Sequence, residues 1–218
     1  MSKENKKTLE VYKKAASIYL ANTIEHDKLD LVKAQKKREA LECFIRKSLS
    51  CLPAGAKVFE IGSGDGENAK YIESLGFDVT ASDTADGFLE AIRSRGLKTI
   101  QFNALEDPFK EKYLAVFCWR VFVHFTIEDA LKIIRKVYYS LDEQGIFIFN
   151  AMNREMKNVD YEWLDFEGEY HMGEERYYNY FLQKDIDDMI KQTDFQIQDF
   201  HTEGGKDHNK WLVYVLKK

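Results

Sequence analysis

The stretch Val58-Phe59-Glu60-Ile61-Gly62-Ser63-Gly64-Asp65-Gly66 decides how this chain folds. A short apolar run, typical of a buried strand, enters an acidic residue and is followed by glycine at every second position. Glycines in such a turn let a cofactor lie against bare backbone at the end of the strand. A second strand-like run ends at Asp83, 21 positions after Gly62. A carboxylate roughly 20 residues on reaches a ribose diol in a doubly wound sheet, so the stretch predicts a site for a nucleoside-type cofactor.

Composition and charge narrow the class of protein. The chain has 218 residues, of which 44% are hydrophobic, enough for one domain with a sizeable core. Its formal net charge of -5 argues against a broad nucleic-acid footprint, so no nucleic acid partner is expected. Three scattered cysteines (Cys43, Cys51 and Cys118) favour a reducing compartment and lack metal-site spacing. A polar N-terminus and no apolar run near the ~20 residues of a membrane span predict a cytoplasmic protein without membrane association.

Outward from the glycines, strand-like and helix-like segments alternate, which predicts a parallel sheet with helices on both faces. The predicted strands are residues 58–61, 79–82, 98–102, 114–119 and 146–149. The predicted helices are residues 8–50, 67–75, 86–95 and 183–192, and one more that Thr126 opens with a capping box and that ends near Leu141. Two last runs, residues 196–201 and 210–216, flank Gly204-Gly205 and predict an antiparallel hairpin.

The glycine spacing separates two families of cofactor sites. A dinucleotide-binding fingerprint needs a third glycine at position 67, where this chain has Glu67, so a nicotinamide cofactor is disfavoured. The pattern Glu60-x-Gly62-x-Gly64-x-Gly66 instead resembles motif I of the class I S-adenosylmethionine-dependent methyltransferases. The resemblance continues, in the family's order, through Asp83, Phe102-Asn103-Ala104-Leu105, Val121-Phe122-Val123-His124-Phe125 and the closing hairpin.

The resemblance implies a fold and a domain plan. The fold would be α/β, with a doubly wound, seven-stranded, mostly parallel sheet, a C-terminal antiparallel hairpin and an N-terminal helical lid. Residues 1–52 would form the helical cap and residues 53–218 the S-adenosylmethionine-binding domain. Within that domain, residues 151–182 would form a substrate-facing insert. The implied cofactor is S-adenosylmethionine, and no metal is expected.

The resemblance also assigns residues to the cofactor. Glu60 would lie by its ammonium group, and Asp83 would accept hydrogen bonds from both ribose hydroxyls. Asn103 would bind the adenine amino group through its carbonyl oxygen. The other implied contacts are Gly62, Ser63, Gly64, Gly66, Thr84, Ala104, Leu105, Trp119 and the lid tyrosines Tyr12 and Tyr19. Simple packing of the two tyrosines against the core is an equal alternative, because residues seven apart share one helix face.

The acceptor site is less defined. Many relatives have an aspartate where this chain has Leu114, and Arg120 adds a charge beside the expected methyl-transfer centre. His124 is the candidate catalytic residue, either as a general base or as a residue that positions the substrate. Aromatic and cationic side chains in residues 170–180 suit a flat ring, an amine, a phosphate or a carboxylate, or simply pack on the sheet. The predicted acceptor contacts are Arg120, Asn150, Arg154, His171, Arg176 and Tyr177.

The function that follows is methyl transfer to an oxygen or nitrogen atom of a small molecule, by a monomer or a homodimer. Two alternatives stay open: a protein that binds S-adenosylmethionine or S-adenosylhomocysteine without catalysis, and a methyltransferase that acts on a macromolecule.

Overall fold

The computed structural model describes residues 1–29, 31–157, 159–165, 171–204 and 210–218. Within them, one seven-stranded sheet and one two-stranded sheet form. The strands are β1 (Lys57–Ile61), β2 (Asp78–Asp83), β3 (Lys98–Gln101), β4 (Tyr113–Cys118), β5 (Leu141–Met152), β6 (Tyr161–Leu164), β7 (Arg176–Asn179), β8 (Gln196–Glu203) and β9 (Trp211–Lys217). The large sheet has the order β3-β2-β1-β4-β5-β9-β8, and β6 pairs with β7 in the small one.

Helices cover both faces of the large sheet. They are α1 (Lys3–Leu29), α2 (Leu31–Leu49), α3 (Glu67–Ser74), α4 (Asp86–Ser94), α5 (Ile127–Ser140) and α6 (Gln183–Ile190), with 3-10 turns at Phe122–His124 and Arg154–Met156. Apolar residues of α5 and α6 form one core cluster with one face of the sheet, and those of α2, α3 and α4 form a second cluster with the other face. The predicted fold class is therefore confirmed: a doubly wound, mostly parallel sheet with an antiparallel C-terminal pair.

Parallel pairing decides where the functional residues meet. Strands β1 and β2 pair in parallel, with Ile61 opposite Ser82, and β1 also pairs in parallel with β4. Their carboxyl ends therefore lie at one edge of the sheet, where ligands bind in folds of this type. The glycines after β1, Asp83 at the end of β2 and the 3-10 turn after β4 meet at this edge.

The first helix differs from the sequence prediction. It begins at Lys3 rather than at residue 8, because the Ser2 hydroxyl caps it by accepting the backbone N–H of Asn5 at 3.1 Å. The Ser2 backbone N–H donates in turn to the Asp129 carboxylate at 2.9 Å. That bond also explains why only half of the predicted capping box forms: Thr126 accepts the Asp129 backbone N–H, while the Asp129 side chain turns to Ser2.

Two smaller differences concern the C-terminal half. Strand β5 runs over Leu141–Met152, well beyond the predicted residues 146–149, because it pairs with β9 over its last seven residues. The predicted insert contains the β6–β7 pair, which was not predicted because this aromatic and charged segment shows little periodicity. In the predicted hairpin turn Gly204 has a φ of 70°, and Gly205 lies outside the described residues. None of the helices in the described part of the chain combines the length and the apolar character needed to cross a membrane.

Candidate functional site

A cavity of about 680 Å³ opens at the carboxyl ends of β1, β2 and β4. Two groups of residues form different parts of its wall. The first is the glycine turn, residues 62–66, which follows β1. The second is the polar face of α1, defined as Asn5, Thr8 and Tyr12, all three of which line the cavity.

The glycine turn needs its glycines for two different reasons. Gly62 and Gly64 both have a positive φ, 67° and 56°, which strains any residue with a Cβ atom. A Cβ on Gly62 would lie 2.5 Å from Cγ2 of Val121, so this glycine permits close packing of the turn on the residues after β4. A Cβ on Gly64 would meet nothing within 4 Å. Gly64 therefore keeps space open at the cavity wall.

Asp83 joins β2 to the glycine turn. Its carboxylate accepts the backbone N–H of Gly64 at 3.1 Å, of Thr84 at 2.7 Å and of Ala85 at 3.2 Å. The side chain is buried and lines the cavity. Burial raises the pKa of Asp83, and the three N–H bonds oppose this rise. The result is a buried carboxylate held in one orientation at the cavity wall.

Glu60 lies behind the glycine turn. It is 1% exposed, and its carboxyl group is hydrogen-bonded by the Ser63 and Asn68 side chains, both of which line the cavity. Oε2 of Glu60 has no hydrogen-bond donor among the described residues. Burial raises the pKa of Glu60 to about 7. A cation beside Oε2 of Glu60 would form an ion pair with the carboxylate and lower its pKa.

The loop after β3 supplies another part of the wall. Oδ1 of Asn103 accepts the Leu105 backbone N–H at 3.0 Å, and Nδ2 of Asn103 lies 3.3 Å from the Glu106 carboxylate and 3.6 Å from Sδ of Met1. Ala104 lines the cavity beside Asn103. The amide that the resemblance assigns to adenine therefore already uses its oxygen in a local turn.

The polar face of α1 is tied to the residues after β4 and to β7. Asn5 donates from Nδ2 to the His124 carbonyl oxygen at 3.2 Å, and Thr8 accepts the Tyr177 backbone N–H at 3.0 Å. The Tyr12 hydroxyl lies 2.8 Å from Nε2 of His124. Asn5 and Thr8 are both almost fully buried, at 2% and 0% exposure. One helix face is thus fixed by side-chain bonds rather than by apolar packing alone.

The two partners of His124 define its tautomer. Nδ1 lies 2.7 Å from the Tyr177 carbonyl oxygen, which only accepts, so Nδ1 carries the proton. Nε2 is then an acceptor, and the Tyr12 hydroxyl donates to it. Burial lowers the pKa of His124 to about 4, the Tyr177 carbonyl opposes this shift, and the charge of Arg176 adds to it. The ring is neutral at physiological pH.

Arg176 lies beneath Tyr12. Its side chain is 0% exposed, donates from Nη1 to the Tyr12 hydroxyl at 3.3 Å, and has its guanidinium carbon 5.4 Å from the Tyr12 ring centre. Asp165 balances the charge at 3.7 Å and also accepts the backbone N–H groups of Met172 and Gly173, each at 2.8 Å. Burial raises the pKa of Tyr12, and the Arg176 cation opposes that rise. The phenol is therefore held neutral inside a fixed network.

The structure brings together most of the predicted cofactor residues. The cavity wall contains Gly62, Ser63, Gly64, Asp83, Thr84, Asn103, Ala104, Trp119, Tyr12 and Tyr19. The cavity wall does not include Glu60, Gly66 and Leu105, each of which lies one position along the chain from a residue that lines it. Trp119 is held by a stacked contact with Phe117, with ring centres 5.6 Å apart.

The predicted acceptor residues are more dispersed. Arg120 and the candidate catalytic residue His124 line the cavity. Asn150, Arg154, His171, Arg176 and Tyr177 lie outside the lining, each engaged elsewhere. Oδ1 of Asn150 accepts the Arg120 backbone N–H at 2.6 Å, Arg154 pairs with Asp160, Nδ1 of His171 lies 3.0 Å from Asp165, and the Tyr177 hydroxyl donates to Asn179 at 3.1 Å.

Sequence reasoning missed Asn5, Thr8 and Phe88. Phe88 of α4 packs on both lid tyrosines, with ring centres 6.1 Å from Tyr12 and 5.6 Å from Tyr19. Positions 5, 8 and 12 have the spacing of one helix face, and polar residues on a face that also carries Val11 and Ala15 were the available signal. The described residues contain no group of three or more His, Cys, Asp or Glu side chains placed to hold a metal ion.

Known proteins resemble this chain in family and fold. A family model described as a methyltransferase domain matches residues 34–199. An S-adenosylmethionine-dependent methyltransferase from Clostridium acetobutylicum is similar with a TM-score of 0.70 and 18% identity, covering 91% of this chain and 98% of that chain. The magnesium protoporphyrin IX methyltransferase from Synechocystis, solved with bound S-adenosylmethionine, has a TM-score of 0.72 and 12% identity over 100% of this chain and 98% of that chain.

The CcbJ methyltransferase from Streptomyces caelestis is also similar, with a TM-score of 0.64 and 15% identity over 79% of this chain and 87% of that chain. A search of curated proteins finds no match. Since the family model spans most of the chain and the fold is that of S-adenosylmethionine-dependent methyltransferases, the chain belongs to the methyltransferase domain family.

Proposed function

We propose that the protein transfers the methyl group of S-adenosylmethionine to an oxygen or nitrogen atom of a small molecule. The observation that carries the proposal is a cavity in which the glycine turn and Asp83 face the polar face of α1 and His124. One side has the features of a nucleoside cofactor site, and an acceptor would lie beside Tyr12 and His124 on the other side.

The residues of the glycine-turn side fit the cofactor. The unpartnered Oε2 of Glu60 suits an ammonium group, and the free space at Gly64 suits a ligand that approaches the backbone. Asp83 is held with its carboxylate at the cavity wall and would bind the ribose hydroxyls. Ser63 and Thr84 would flank these contacts, Ala104 and Trp119 would supply apolar surface, and Gly66 and Leu105 would support the loops from behind.

Bound S-adenosylmethionine would supply an electrophilic methyl group at its sulfonium sulfur. The protein's part is to orient the acceptor and to exclude water. Tyr12 and Tyr19 pack edge to face at 6.3 Å and, with Phe88, form an aromatic cover over the cavity. Because Tyr12 is anchored by His124 and Arg176, this cover is fixed where it meets the residues after β4.

His124 acts, in this proposal, through Tyr12 rather than as a general base. Its Nε2 lone pair is already occupied by the Tyr12 hydroxyl, and burial favours the neutral ring. A pKa of about 4 makes the imidazole a weak proton acceptor. His124 is therefore a positioning residue, and turnover would not follow a titration at the ordinary histidine pKa.

A small acceptor fits the site better than a macromolecule. Helix α1 is hydrogen-bonded through Asn5 and Tyr12 to His124 and through Thr8 to Tyr177, and this docking restricts access to the methyl-transfer region. The net charge of -5 also disfavours a long anionic substrate such as RNA. Arg120, which lies on the cavity wall, would orient an acceptor with oxygen or nitrogen groups.

The test is transfer of labelled methyl from S-adenosylmethionine to a panel of hydroxyl- and amine-bearing small molecules, followed by mass spectrometry. The same reactions with bulk RNA and protein serve as comparison, and the Asp83→Ala variant serves as the inactive control. We expect label in one or more small molecules with the wild type alone. Label only in RNA or protein would overturn the small-molecule assignment, and cofactor binding without any transfer would overturn catalysis.

A further inference from the structure

We propose that Asn5, on the lid helix, recognises the cofactor's adenine by accepting a hydrogen bond from its 6-amino group. The inference rests on the proposed S-adenosylmethionine site and deepens it, because it places adenine recognition on α1 rather than only on the loop after β3. Three observations support it: the orientation of the Asn5 amide, its place beside the adenine loop, and the local use of the Asn103 amide.

The orientation of the Asn5 amide follows from its partner. The His124 carbonyl oxygen accepts only, so the group 3.2 Å from it must be Nδ2 of Asn5. Oδ1 therefore points away from His124. This oxygen is buried, has no hydrogen-bond donor among the described residues, and belongs to a side chain that lines the cavity. A buried carbonyl oxygen without a donor is costly, and a ligand N–H group would satisfy it.

Helix α1 brings this oxygen close to the predicted adenine loop. Sδ of Met1 lies 3.6 Å from Nδ2 of Asn103, and Asn5 lies one helical turn further along the chain. Asn5 is bonded to His124, and the next residue, Phe125, lines the same cavity as Phe102 and Asn103. The start of α1 thus spans the gap between the loop after β3 and the 3-10 turn after β4. Asn5 would thus join the loop after β3, which the resemblance assigns to adenine, to the 3-10 turn after β4.

Asn103 is the competing candidate, and its oxygen is partly used. It accepts the Leu105 backbone N–H at 3.0 Å, while Nδ2 faces the Glu106 carboxylate at 3.3 Å. Oδ1 of Asn5 has both lone pairs available among the described contacts. A ligand N–H group would therefore bind more strongly to Oδ1 of Asn5 than to Oδ1 of Asn103.

The experiment compares two ligands that differ by one hydrogen-bond donor. One is S-adenosylhomocysteine, and the other is the same molecule with hydrogen in place of the 6-amino group on the purine. Calorimetry gives the ratio of their dissociation constants for the wild type and for Asn5→Leu, Asn5→Asp and Asn103→Leu. Asp129→Ala is the matched control, because it removes the anchor of Ser2 and loosens the same helical turn without touching the cavity.

We expect the wild type to prefer the amino-bearing ligand and Asn5→Leu to reduce that preference about tenfold, the value of one hydrogen bond. Asn5→Asp keeps the oxygen but loses the donor to the His124 carbonyl, so it should weaken binding of both ligands while keeping most of the preference between them. Asp129→Ala should leave the preference unchanged. An unchanged preference in Asn5→Leu, or a loss confined to Asn103→Leu, would overturn the proposal. If the wild type binds neither ligand, the S-adenosylmethionine site itself is refuted.

Discussion

The two sides of the cavity are built in different ways. On the glycine-turn side, backbone conformation determines the shape of the wall, and the hydrogen bond between Gly64 and Asp83 joins residues only 19 positions apart. On the α1 side, side-chain hydrogen bonds hold the wall together, and they join Tyr12 to His124 and Arg176, which are 112 and 164 positions away in the chain. The first side is formed by a local motif on a rigid sheet, and the second exists only when the N-terminal helix and β7 have docked. The two sides should therefore respond differently to mutation and to pH.

The largest effect is expected from the glycines, and it should separate packing from binding. Gly62→Ala places a Cβ 2.5 Å from Val121 in a backbone with positive φ, so we expect a loss of about 3 kcal/mol in the free energy of unfolding. Gly64→Ala has open space around the new methyl, so only the backbone strain of about 1 kcal/mol remains, while cofactor affinity should fall sharply. Urea unfolding and calorimetry with S-adenosylhomocysteine measure the two quantities. Equal loss of stability in both variants would contradict this division of roles.

Asp83→Ala should weaken cofactor binding and also lower stability, because the backbone N–H groups of Gly64, Thr84 and Ala85 lose their acceptor. Two hydrogen bonds from ribose hydroxyls to a buried carboxylate are worth about 3 kcal/mol together, so the dissociation constant for S-adenosylhomocysteine should rise about 100-fold. Asp78→Ala, at the exposed opposite end of the same strand, is the matched control and should bind as the wild type does. If both variants bind equally well, Asp83 does not hold the ribose.

Glu60→Gln tests the electrostatics of the glycine-turn side. The carboxyl group has a pKa of about 7 in the folded protein, against an ordinary value of 4.5, so folding takes up a proton between these pH values. The wild type should therefore lose stability as the pH rises from 4.5 to 7, and the loss is complete above pH 7. Glu60→Gln does not undergo this loss and should be more stable by about 3 kcal/mol at pH 8, with no such gain at pH 4. Unfolding curves at both pH values measure the difference, and an equal gain at both would refute the shifted pKa.

Tyr12→Phe is the corresponding test of the α1 side and should have the smallest effect. It leaves Nε2 of His124 buried without its donor, so we expect a loss of about 1 kcal/mol in stability. The affinity for S-adenosylhomocysteine should change by less than about threefold, because the variant keeps the aromatic ring. Tyr139→Phe, on an exposed tyrosine, is the control. A large loss of cofactor affinity would show that Tyr12 binds the cofactor through its hydroxyl.

The contrast between the two sides also explains what could be predicted from the sequence. Alternating strands and helices predicted the parallel sheet, and Gly62 and Asp83 marked its functional edge, because these features depend on local spacing. The roles of Asn5 and Thr8 had only a weak signal, polar residues on the helix face that carries Val11 and Ala15, and such residues resemble a solvated face until tertiary contacts bury them. Arg176 was predicted as an acceptor contact, yet it lies buried beneath Tyr12, because the pairing of β7 with β6 and its contacts with α1 leave no local signal.

The central claim is that one cavity binds S-adenosylmethionine through the glycine turn and Asp83. Calorimetric titration of the wild type with S-adenosylhomocysteine, alongside Asp83→Ala and Asp78→Ala, tests it most directly. We expect the wild type to bind one ligand per chain in the micromolar range, with binding about 100-fold weaker in Asp83→Ala and unchanged in Asp78→Ala. Absence of binding to the folded wild type would refute this site.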